Sequence, residues 1–255
     1  MGRLDGRIAL VTGSAAGIGL VIARVFAEEG AHVYLADIQG DAAQAAAADL
    51  INNGHQATAI AADVSRGQDI TALFRRIETD SGRLDVIVNN AVANGPGAGG
   101  LLETSEADWD LVLGVGLRGV FLCCQRAVRQ MLTQEPYGDV RGRVINISSQ
   151  HGMVGAPGAL AYSSMKGGVV NLTRQIAVDF AKDGIVCNAI APGKIVVPRE
   201  HGQVPEIIAY ATARTPWPRL GAPEDVASLA VFMASDDCRF MTGANVLIDG
   251  GYMAF

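Results

Sequence analysis

The sequence predicts an α/β fold in which helices cover both faces of a doubly wound parallel sheet of about seven strands. Short apolar runs alternate with amphipathic segments along almost the whole chain. The runs are apolar throughout, as expected for strands that are buried on both faces. With 255 residues, of which 49% are hydrophobic, the chain has the length of one well-buried domain. We therefore expect residues 1–255 to form a single domain.

The individual elements follow in order along the chain. Seven short apolar segments are typical of strands: 7–12, 32–37, 57–64, 84–91, 143–148, 184–193 and 245–251. Six segments have the apolar spacing of helices: 17–29, 41–52, 67–81, 105–134, 158–181 and 223–234. Segments 94–100 and 194–216 are irregular. The second is long for a connection inside a compact domain, so we expect a substrate lid there.

Composition and charge argue against several kinds of partner. The net charge is −6 and no block of Lys or Arg occurs, which disfavours nucleic acid and anionic membranes. No secretory or myristoylation signal and no apolar run near the roughly 18 residues of a spanning helix is evident, so we expect no membrane association and a cytoplasmic protein. The four cysteines form no CxxC pair, and we expect reduced core thiols and no metal site.

A glycine-rich turn, "VTGSAAGIG", follows the first strand and opens the first helix. Its glycines, Gly13, Gly17 and Gly19, allow a tight turn and close approach of a pyrophosphate to the helix N-terminus, although a plain strand–helix turn also uses glycine. The second strand ends at Asp37, 18 residues beyond Gly19, near the ~20 expected for an acid that binds an adenosine ribose. Residues 14–16 and Ile38 include no Arg or Lys. The pattern favours NAD(H) over NADP(H), whereas a solvated acid at a strand end is the alternative for Asp37.

A second group of residues has the chemistry of a proton shuttle. Tyr162 and Lys166 lie four residues apart, on one face of a predicted helix. A nearby ammonium favours the phenolate and lowers the tyrosine pKa toward neutrality. Ser149 ends the preceding strand region, thirteen residues before the tyrosine, and its hydroxyl could hydrogen-bond a substrate oxygen.

These motifs, in this order, resemble those of the short-chain dehydrogenase/reductase family over essentially the whole chain. The resemblance implies a Rossmann-like fold, a nicotinamide cofactor and hydride transfer to or from an alcohol or carbonyl carbon. The matching motifs are T-G-x-x-x-G-x-G at 12–19, Asp63-Val64, N-N-A at 89–91, the set Ser149, Tyr162 and Lys166, Pro192-Gly193, and the closing "IDGG".

The same resemblance implies roles for the matching residues. Tyr162 is expected to be the general acid/base, Lys166 to bind the nicotinamide ribose and lower the pKa of Tyr162, and Ser149 to orient the substrate oxygen. The long helices form subunit contacts in members of the family, so we expect a homo-oligomer, a tetramer by resemblance. The residues expected to contact the cofactor are Gly13, Ser14, Gly17, Ile18, Gly19, Asp37, Ile38, Asp63, Val64, Asn90, Ala91, Tyr162, Lys166, Pro192, Gly193 and Ile195.

Three positions depart from the family pattern. Gly116 stands where the family usually has an asparagine, in a locally distorted helix where that side chain helps to hold a water between the lysine and solvent. Gly114 and Gly119 lie close by, and each glycine costs a helix interior ~0.8–1 kcal/mol relative to alanine. Val92 replaces a glycine, and Val197 a threonine expected near the nicotinamide amide. We expect a second ordered water to fill the space at residue 116; the three changes fit either tolerated drift or a reshaped nicotinamide pocket.

The sequence therefore predicts a cytoplasmic, NAD(H)-dependent alcohol dehydrogenase or carbonyl reductase. Its substrate is expected to be a small secondary alcohol or ketone, with sugars, polyols or cyclic alcohols favoured by overall resemblance. A 3-oxoacyl-thioester reductase is one alternative, disfavoured by Asp37 because such enzymes more usually use NADPH. A non-catalytic NAD-binding regulatory protein is another, disfavoured by the intact serine, tyrosine and lysine. Gln150 and His151 follow Ser149 and are candidates to face substrate, a surface role being at least as compatible.

Overall fold

Seven parallel strands form one sheet in the computed structural model, which describes residues 2–93, 99–197 and 205–254. Their spatial order is β3-β2-β1-β4-β5-β6-β7. The chain therefore starts in the middle of the sheet, extends it to one side and then crosses to the other, which confirms the predicted doubly wound α/β fold. The strands are β1 (Ile8–Thr12), β2 (His32–Asp37), β3 (Gln56–Ala61), β4 (Val86–Asn89), β5 (Gly142–Ile147), β6 (Ile185–Pro192) and β7 (Asn245–Ile248).

Helices flank both faces of this sheet. Their ends agree with the sequence prediction to within a few residues, except between residues 105 and 134 and in the segment 194–216. They are α1 (Gly17–Glu28), α2 (Gly40–Asn52), α3 (Gly67–Ser81), α4 (Glu106–Leu113), α5 (Val120–Met131), α6 (Leu160–Phe180), α7 (Pro205–Arg214) and α8 (Pro223–Ala234).

The segment predicted to be irregular, 194–216, contains a helix, so that part of the prediction is wrong. Helix α7 begins at Pro205, a residue suited to the first helical position because its ring presets the backbone angle and its missing N–H would be unpaired there anyway. Residues 198–204 lie outside the described part of the chain, as do residues 94–98 of the first irregular segment. The role of 194–216 as a substrate lid stays a prediction.

Two hydrophobic cores form because successive strand residues point to opposite faces of the sheet. In β1, Leu10 joins the core under α3, α5 and α6, whereas Ala9 and Val11 join the core under α1, α2 and α8. The four cysteines are buried free thiols, and burial raises the pKa of Cys123 to about 12. The thiols are therefore packing groups rather than nucleophiles.

The long helix predicted over 105–134 is broken into three parts. Between α4 and α5, Gly114–Gly119 forms a π-helical turn, a feature that is frequent at functional sites. By length and composition alone Glu106–Met131 could cross a membrane, contrary to the expectation from the sequence. It packs against α3 and α6, and 44% of its most apolar window is buried.

A buried polar network joins the carboxyl ends of β4 and β5. The Asn89 amide donates to Oδ1 of Asn146 at 2.8 Å, and the Asn146 amide donates to Oγ1 of Thr173 on α6 at 2.9 Å. These three residues are each no more than 3% exposed. The network therefore ties two central strands to the helix that carries Tyr162 and Lys166.

Candidate active site

The predicted site residues converge on the carboxyl edge of the sheet. The loops that follow β1, β4, β5 and β6 leave this edge side by side, because the four strands are parallel and β1, β4, β5 and β6 are successive neighbours. In an open parallel α/β sheet, this edge at the point where the strand order reverses is where ligands bind.

The glycine-rich turn has the backbone shape that its sequence requires. Gly13 and Gly17 have positive φ values of 64° and 62°, which side-chain-bearing residues rarely adopt. A Cβ on Gly13 would lie 2.7 Å from the Cα of Ala91, and one on Gly19 would lie 2.2 Å from the carbonyl oxygen of Gly13. Helix α1 begins at Gly17 with no side-chain cap, so its first N–H groups suit an anion such as the pyrophosphate of a dinucleotide.

Asn90 braces this turn. Its Nδ2 donates to the carbonyl oxygens of Thr12 (3.0 Å) and Gly13 (2.8 Å). In return, Oγ1 of Thr12 accepts the N–H groups of Asn90 (3.1 Å) and Ala91 (3.2 Å). Sequence reasoning placed Asn90 at the cofactor and overlooked the bracing role of Thr12. The signal was a hydroxyl at the last position of β1, beside the "NNA" that ends β4.

Asp37 is held against the same turn by backbone donors. Its Oδ2 accepts the N–H of Ala15 and its Oδ1 the N–H of Gln39, both at 2.9 Å. Ser14 is fully buried, whereas Ile38 is 67% exposed. A fixed carboxylate at the end of β2 has spare lone pairs for two neighbouring hydroxyl groups and disfavours a phosphate at that point.

The loop after β3 lies beside the π-helical turn. Oδ1 of Asp63 accepts the N–H and the hydroxyl of Ser65 at 2.9 and 2.7 Å, so this side chain shapes its own loop. Val64 is 7% exposed. A Cβ on Gly119 would lie 2.9 Å from the carbonyl oxygen of Val64, so a side chain at 119 has no room.

The loop after β6 closes the other side of the site. Beyond Pro192, the N–H of Gly193 donates to Ile248 at 2.8 Å, and Ile195 is 8% exposed. Val197 lies next to the glycine-rich turn, since its Cγ1 is 3.4 Å from where a Cβ on Gly17 would be. Two other residues named in the sequence analysis lie in different surroundings. Ile18 packs on the core under α1, and Val92 is 42% exposed.

Ser149, Tyr162 and Lys166 meet where β5 faces the start of α6. Lys166 is 4% exposed, and its Nζ donates to the carbonyl oxygen of Ile147 at 2.7 Å. The same Nζ lies 5.6 Å from the centroid of the Tyr162 ring. Burial lowers the pKa of Lys166 from 10.5 to about 8, which leaves the ammonium mostly protonated at pH 7.

The expectation that Lys166 lowers the pKa of Tyr162 stays a prediction. Removal of the phenol from water raises the pKa of Tyr162, and a hydrogen bond with Ser149 offsets part of the increase. The hydroxyls of Tyr162 and Ser149 therefore form a pair able to bind one oxygen atom, with the phenol as the proton carrier.

Met165 packs against residue 116, where the sequence suggested a second ordered water; that water stays a prediction. A Cβ on Gly116 would lie 2.7 Å from Sδ, 2.8 Å from Cε and 3.0 Å from Cγ of Met165, which is fully buried. A side chain at 116 would therefore require the flexible end of Met165 to move. Gly114, by contrast, faces open space within 4 Å.

Two polar side chains next to Ser149 complete the cluster. Gln150 is 4% exposed, and its Oε1 is buried without a hydrogen-bond partner among the described residues. Nε2 of His151 lies 3.3 Å from Nε2 of Gln150. The His151 ring packs edge-on against the Tyr162 ring, with 6.4 Å between centroids, and burial lowers its pKa.

Comparison with known proteins identifies relatives that match nearly the whole chain. A family model described as enoyl-(acyl carrier protein) reductase matches residues 13–253. The chain is 37% identical over 258 residues to 2-(S)-hydroxypropyl-CoM dehydrogenase 3 of Xanthobacter autotrophicus, covering 99% of this chain and 98% of the relative. It is 41% identical over 248 residues to cis-4-hydroxycyclohexanecarboxylate dehydrogenase of Sinomonas cyclohexanicum, covering 97% of each.

A solved structure has the same architecture. The crystal structure of a putative gluconate dehydrogenase from Agrobacterium tumefaciens superimposes with a TM-score of 0.91 and 30% identity, covering 99% of this chain and 98% of the other.

Proposed function

The chain belongs to the short-chain dehydrogenase/reductase family, and from this premise we propose that it is an NAD(H)-dependent oxidoreductase that interconverts a secondary alcohol and a ketone. The observation that carries the proposal is the placement of Ser149, Tyr162 and Lys166 at the same carboxyl edge of the sheet as the glycine-rich turn. A dinucleotide with its pyrophosphate on that turn would extend along the carboxyl edge toward these three residues.

The protein's own residues handle the proton and the position of the substrate. A bound NAD would supply the hydride acceptor at its nicotinamide. The Ser149 and Tyr162 hydroxyls would bind the substrate oxygen, and Tyr162 would take the hydroxyl proton during oxidation and return it during reduction. The Lys166 ammonium, fixed by Ile147, would bind ribose hydroxyls and favour the phenolate when the proton is lost.

Asp37 supports NAD(H) rather than NADP(H). Its carboxylate is anchored to the N–H of Ala15 in the turn, where the ribose of the adenosine would lie. A ribose 2′-hydroxyl can donate to this carboxylate, whereas a 2′-phosphate would meet a like charge. Replacement of Asp37 by Ser should therefore raise the KM for NAD⁺. It should also lower the ratio of kcat/KM for NAD⁺ to kcat/KM for NADP⁺ by at least about tenfold, which corresponds to 1.4 kcal/mol.

The relatives support hydroxyl compounds as the substrate class. The names of the Sinomonas and Agrobacterium proteins specify a hydroxycyclohexanecarboxylate and gluconate, a cyclic alcohol and a sugar acid. We extend the proposal to these two classes, with polyols as a third.

The direct test is hydride transfer followed by absorbance of NADH over a panel of substrates. The panel contains cis-4-hydroxycyclohexanecarboxylate, gluconate, simple polyols, cyclohexanol and the matching ketones, each with NAD(H) and with NADP(H). Turnover with NAD(H) that disappears in Tyr162→Phe supports the proposal. Tight NADH binding with no turnover across the panel would favour a non-catalytic NAD-binding protein, and activity that survives in Tyr162→Phe would exclude the proposed proton carrier.

We also propose that the chain forms a homo-oligomer through α4, α5 and α6. Large apolar side chains on these helices are exposed: Leu111 (45%), Phe121 (45%), Leu132 (41%) and Val178 (78%). Burying them against another copy would remove them from water. Light scattering tests the homo-oligomer by measuring the molar mass of the purified protein and of Val178→Glu. A wild-type protein that is a monomer at all concentrations would contradict the proposal.

A further inference from the structure

The hydroxyl of Ser149 is held by the short turn that follows it. Ser149 caps a single 3₁₀ turn, Gln150–Gly152, in which its Oγ accepts the N–H of His151 at 3.1 Å. A serine has one hydroxyl proton, and an oxygen that accepts from the backbone keeps that proton for another oxygen atom. The position of the turn therefore decides where Ser149 can donate, to Tyr162 or to a substrate oxygen.

One side of this turn packs against the helix that carries Tyr162 and Lys166. A Cβ on Gly152 would lie 2.8 Å from both the carbonyl carbon and the carbonyl oxygen of Lys166, so the turn and the backbone of α6 are in close contact. The carbonyl oxygen of Gln150 accepts the N–H of Met153 at 3.0 Å, which closes the turn. The place of Ser149 relative to Tyr162 then depends on what supports the turn on the side of the sheet.

Asn245 supports the turn from the sheet, at both of its ends. It is the first residue of β7, the edge strand that pairs with β6. Its Oδ1 accepts the hydroxyl of Ser148 at 2.6 Å, and its Nδ2 donates to Sδ of Met153 at 3.0 Å. Because Ser148 precedes Ser149 and Met153 follows the turn, one amide side chain spans the turn from beginning to end.

The two contacts of Asn245 differ in strength. Ser148 is 2% exposed, and its Oγ lies 3.0 Å from the carbonyl oxygen of Ile190. Its single proton can be donated to only one acceptor, and Oδ1 of Asn245 is the nearer. Met153 is 47% exposed, and a thioether is a weak acceptor. The bond from Ser148 is therefore the main support, and the contact with Met153 is a weaker restraint on the far end of the turn.

We propose that Asn245 is a positioning residue that holds the hydroxyl of Ser149 toward Tyr162 and the substrate oxygen. This inference rests on the proposed function. Asn245 acts through Ser148 and the turn and exchanges no proton. Without its amide, the turn is free to shift away from α6, and a misplaced donor stabilises less of the charge that develops on the substrate oxygen.

The test uses Asn245→Val, which removes both contacts and places a residue type suited to a strand. Asn188→Ala is the matched control. The Asn188 amide donates to the carbonyl oxygen of Met241 at 2.6 Å and accepts the N–H of Ala244 at 3.0 Å, in the segment that leads into β7. The rate constant of alcohol oxidation is measured in single turnovers with saturating NAD⁺ and the fastest alcohol of the panel, which separates hydride transfer from product release.

We expect the rate constant of Asn245→Val to fall about tenfold, with KM for NAD⁺ near the wild-type value and Asn188→Ala within about twofold of wild type. The decisive comparison is a double-mutant cycle with Ser149→Ala. Loss of the Ser149 hydroxyl alone should cost about 10²–10³-fold. In that chain, Asn245→Val should change the rate constant by less than about twofold, because the group that Asn245 positions is already missing.

A second measurement needs no turnover. The N–H of His151 donates to Oγ of Ser149, so its hydrogen exchange reports whether the turn stays closed on that hydroxyl. Exchange should be at least about tenfold faster in Asn245→Val than in Asn188→Ala. Ser148→Ala removes the hydroxyl that donates to Asn245 and repeats both measurements should Asn245→Val fail to fold.

Three results would overturn the inference. One is a rate constant in Asn245→Val within about twofold of the Asn188→Ala control, and another is an unchanged exchange rate of the His151 N–H. The third is an equal loss of rate with and without the Ser149 hydroxyl, which is the pattern of a general structural defect. A wild-type chain with no turnover across the panel refutes the proposed function itself. An active wild type, an inactive Tyr162→Phe and an unaffected Asn245→Val together refute only the positioning role.

Discussion

A comparison of alanine substitutions at Gly114 and Gly119 tests why this helical segment contains three glycines. Both have helical dihedral angles, with φ and ψ of −58° and −46° at Gly114 and −60° and −46° at Gly119. Alanine is therefore compatible with the backbone at either position. The two positions differ in the space around them: a Cβ at 114 meets nothing within 4 Å, and a Cβ at 119 meets Val64.

The expected free energies of unfolding follow from this difference. Alanine in place of glycine stabilises a helix interior by ~0.5–1 kcal/mol, so Gly114→Ala should be stabilised by that amount. At 119, the new Cβ would lie 2.9 Å from the carbonyl oxygen and 3.2 Å from Cγ2 of Val64. That contact can be relieved only by backbone movement, and overpacking typically costs ~1–3 kcal/mol. The two variants should therefore differ by about 1–3 kcal/mol, with Gly119→Ala the less stable.

Urea unfolding at one fixed protein concentration measures the difference directly, because a concentration change would alter the stability of an oligomer. With a slope of about 3 kcal/mol/M, the midpoints should be separated by roughly 0.3–1 M. Gly119→Ala should also weaken NADH binding, since Val64 is one of the residues expected to contact the cofactor. Equal midpoints in the two variants would refute the argument that Val64 dictates glycine at 119.

Three further predictions concern groups buried near the site. The pKa of Lys166 is about 8 in the native state and 10.5 when unfolded, so between these pH values the unfolded state binds more protons and the free energy of unfolding rises with pH. From pH 7 to pH 10, the free energy of unfolding of the wild type should rise by roughly 2–3 kcal/mol relative to that of Lys166→Met, as measured in parallel urea titrations. Asn146→Ala removes the hydrogen-bond partner of both Asn89 and Thr173 and should lower the free energy of unfolding by about 2–4 kcal/mol. Thr133→Ala, at an exposed position, is the control. A loss under about 1 kcal/mol would show that the network relaxes around the missing amide. Asn90→Ala removes two hydrogen bonds to the glycine-rich turn and should weaken NADH binding about tenfold by isothermal titration, and unchanged affinity would mean that the turn holds its shape without them.

Local chemistry explains why so much of this protein is predictable from its sequence. The alternation of apolar strands and amphipathic helices determines the α/β fold, because each pattern can bury its apolar groups in only one way. Spacing along the chain predicts that Gly13, Gly17 and Asp37 face one ligand, and it determines that Tyr162 and Lys166 share a helix face. These relations depend on neighbouring residues or on the geometry of one strand–helix unit.

Tertiary structure decided what depends on residues distant in sequence. Nothing near Gly116 in the chain indicates that Met165, 49 residues later, occupies the place of its side chain, so the sequence suggested water there. The pKa of Tyr162 depends on how far the phenol is withdrawn from water and on its hydrogen bond with Ser149, and both follow from packing of α6 on β5. The same packing brings His151 onto Tyr162. Side-chain volume and solvation are properties of the assembled interior, and for that reason the fold could be predicted from the sequence whereas the packing around Gly116 and Tyr162 could not.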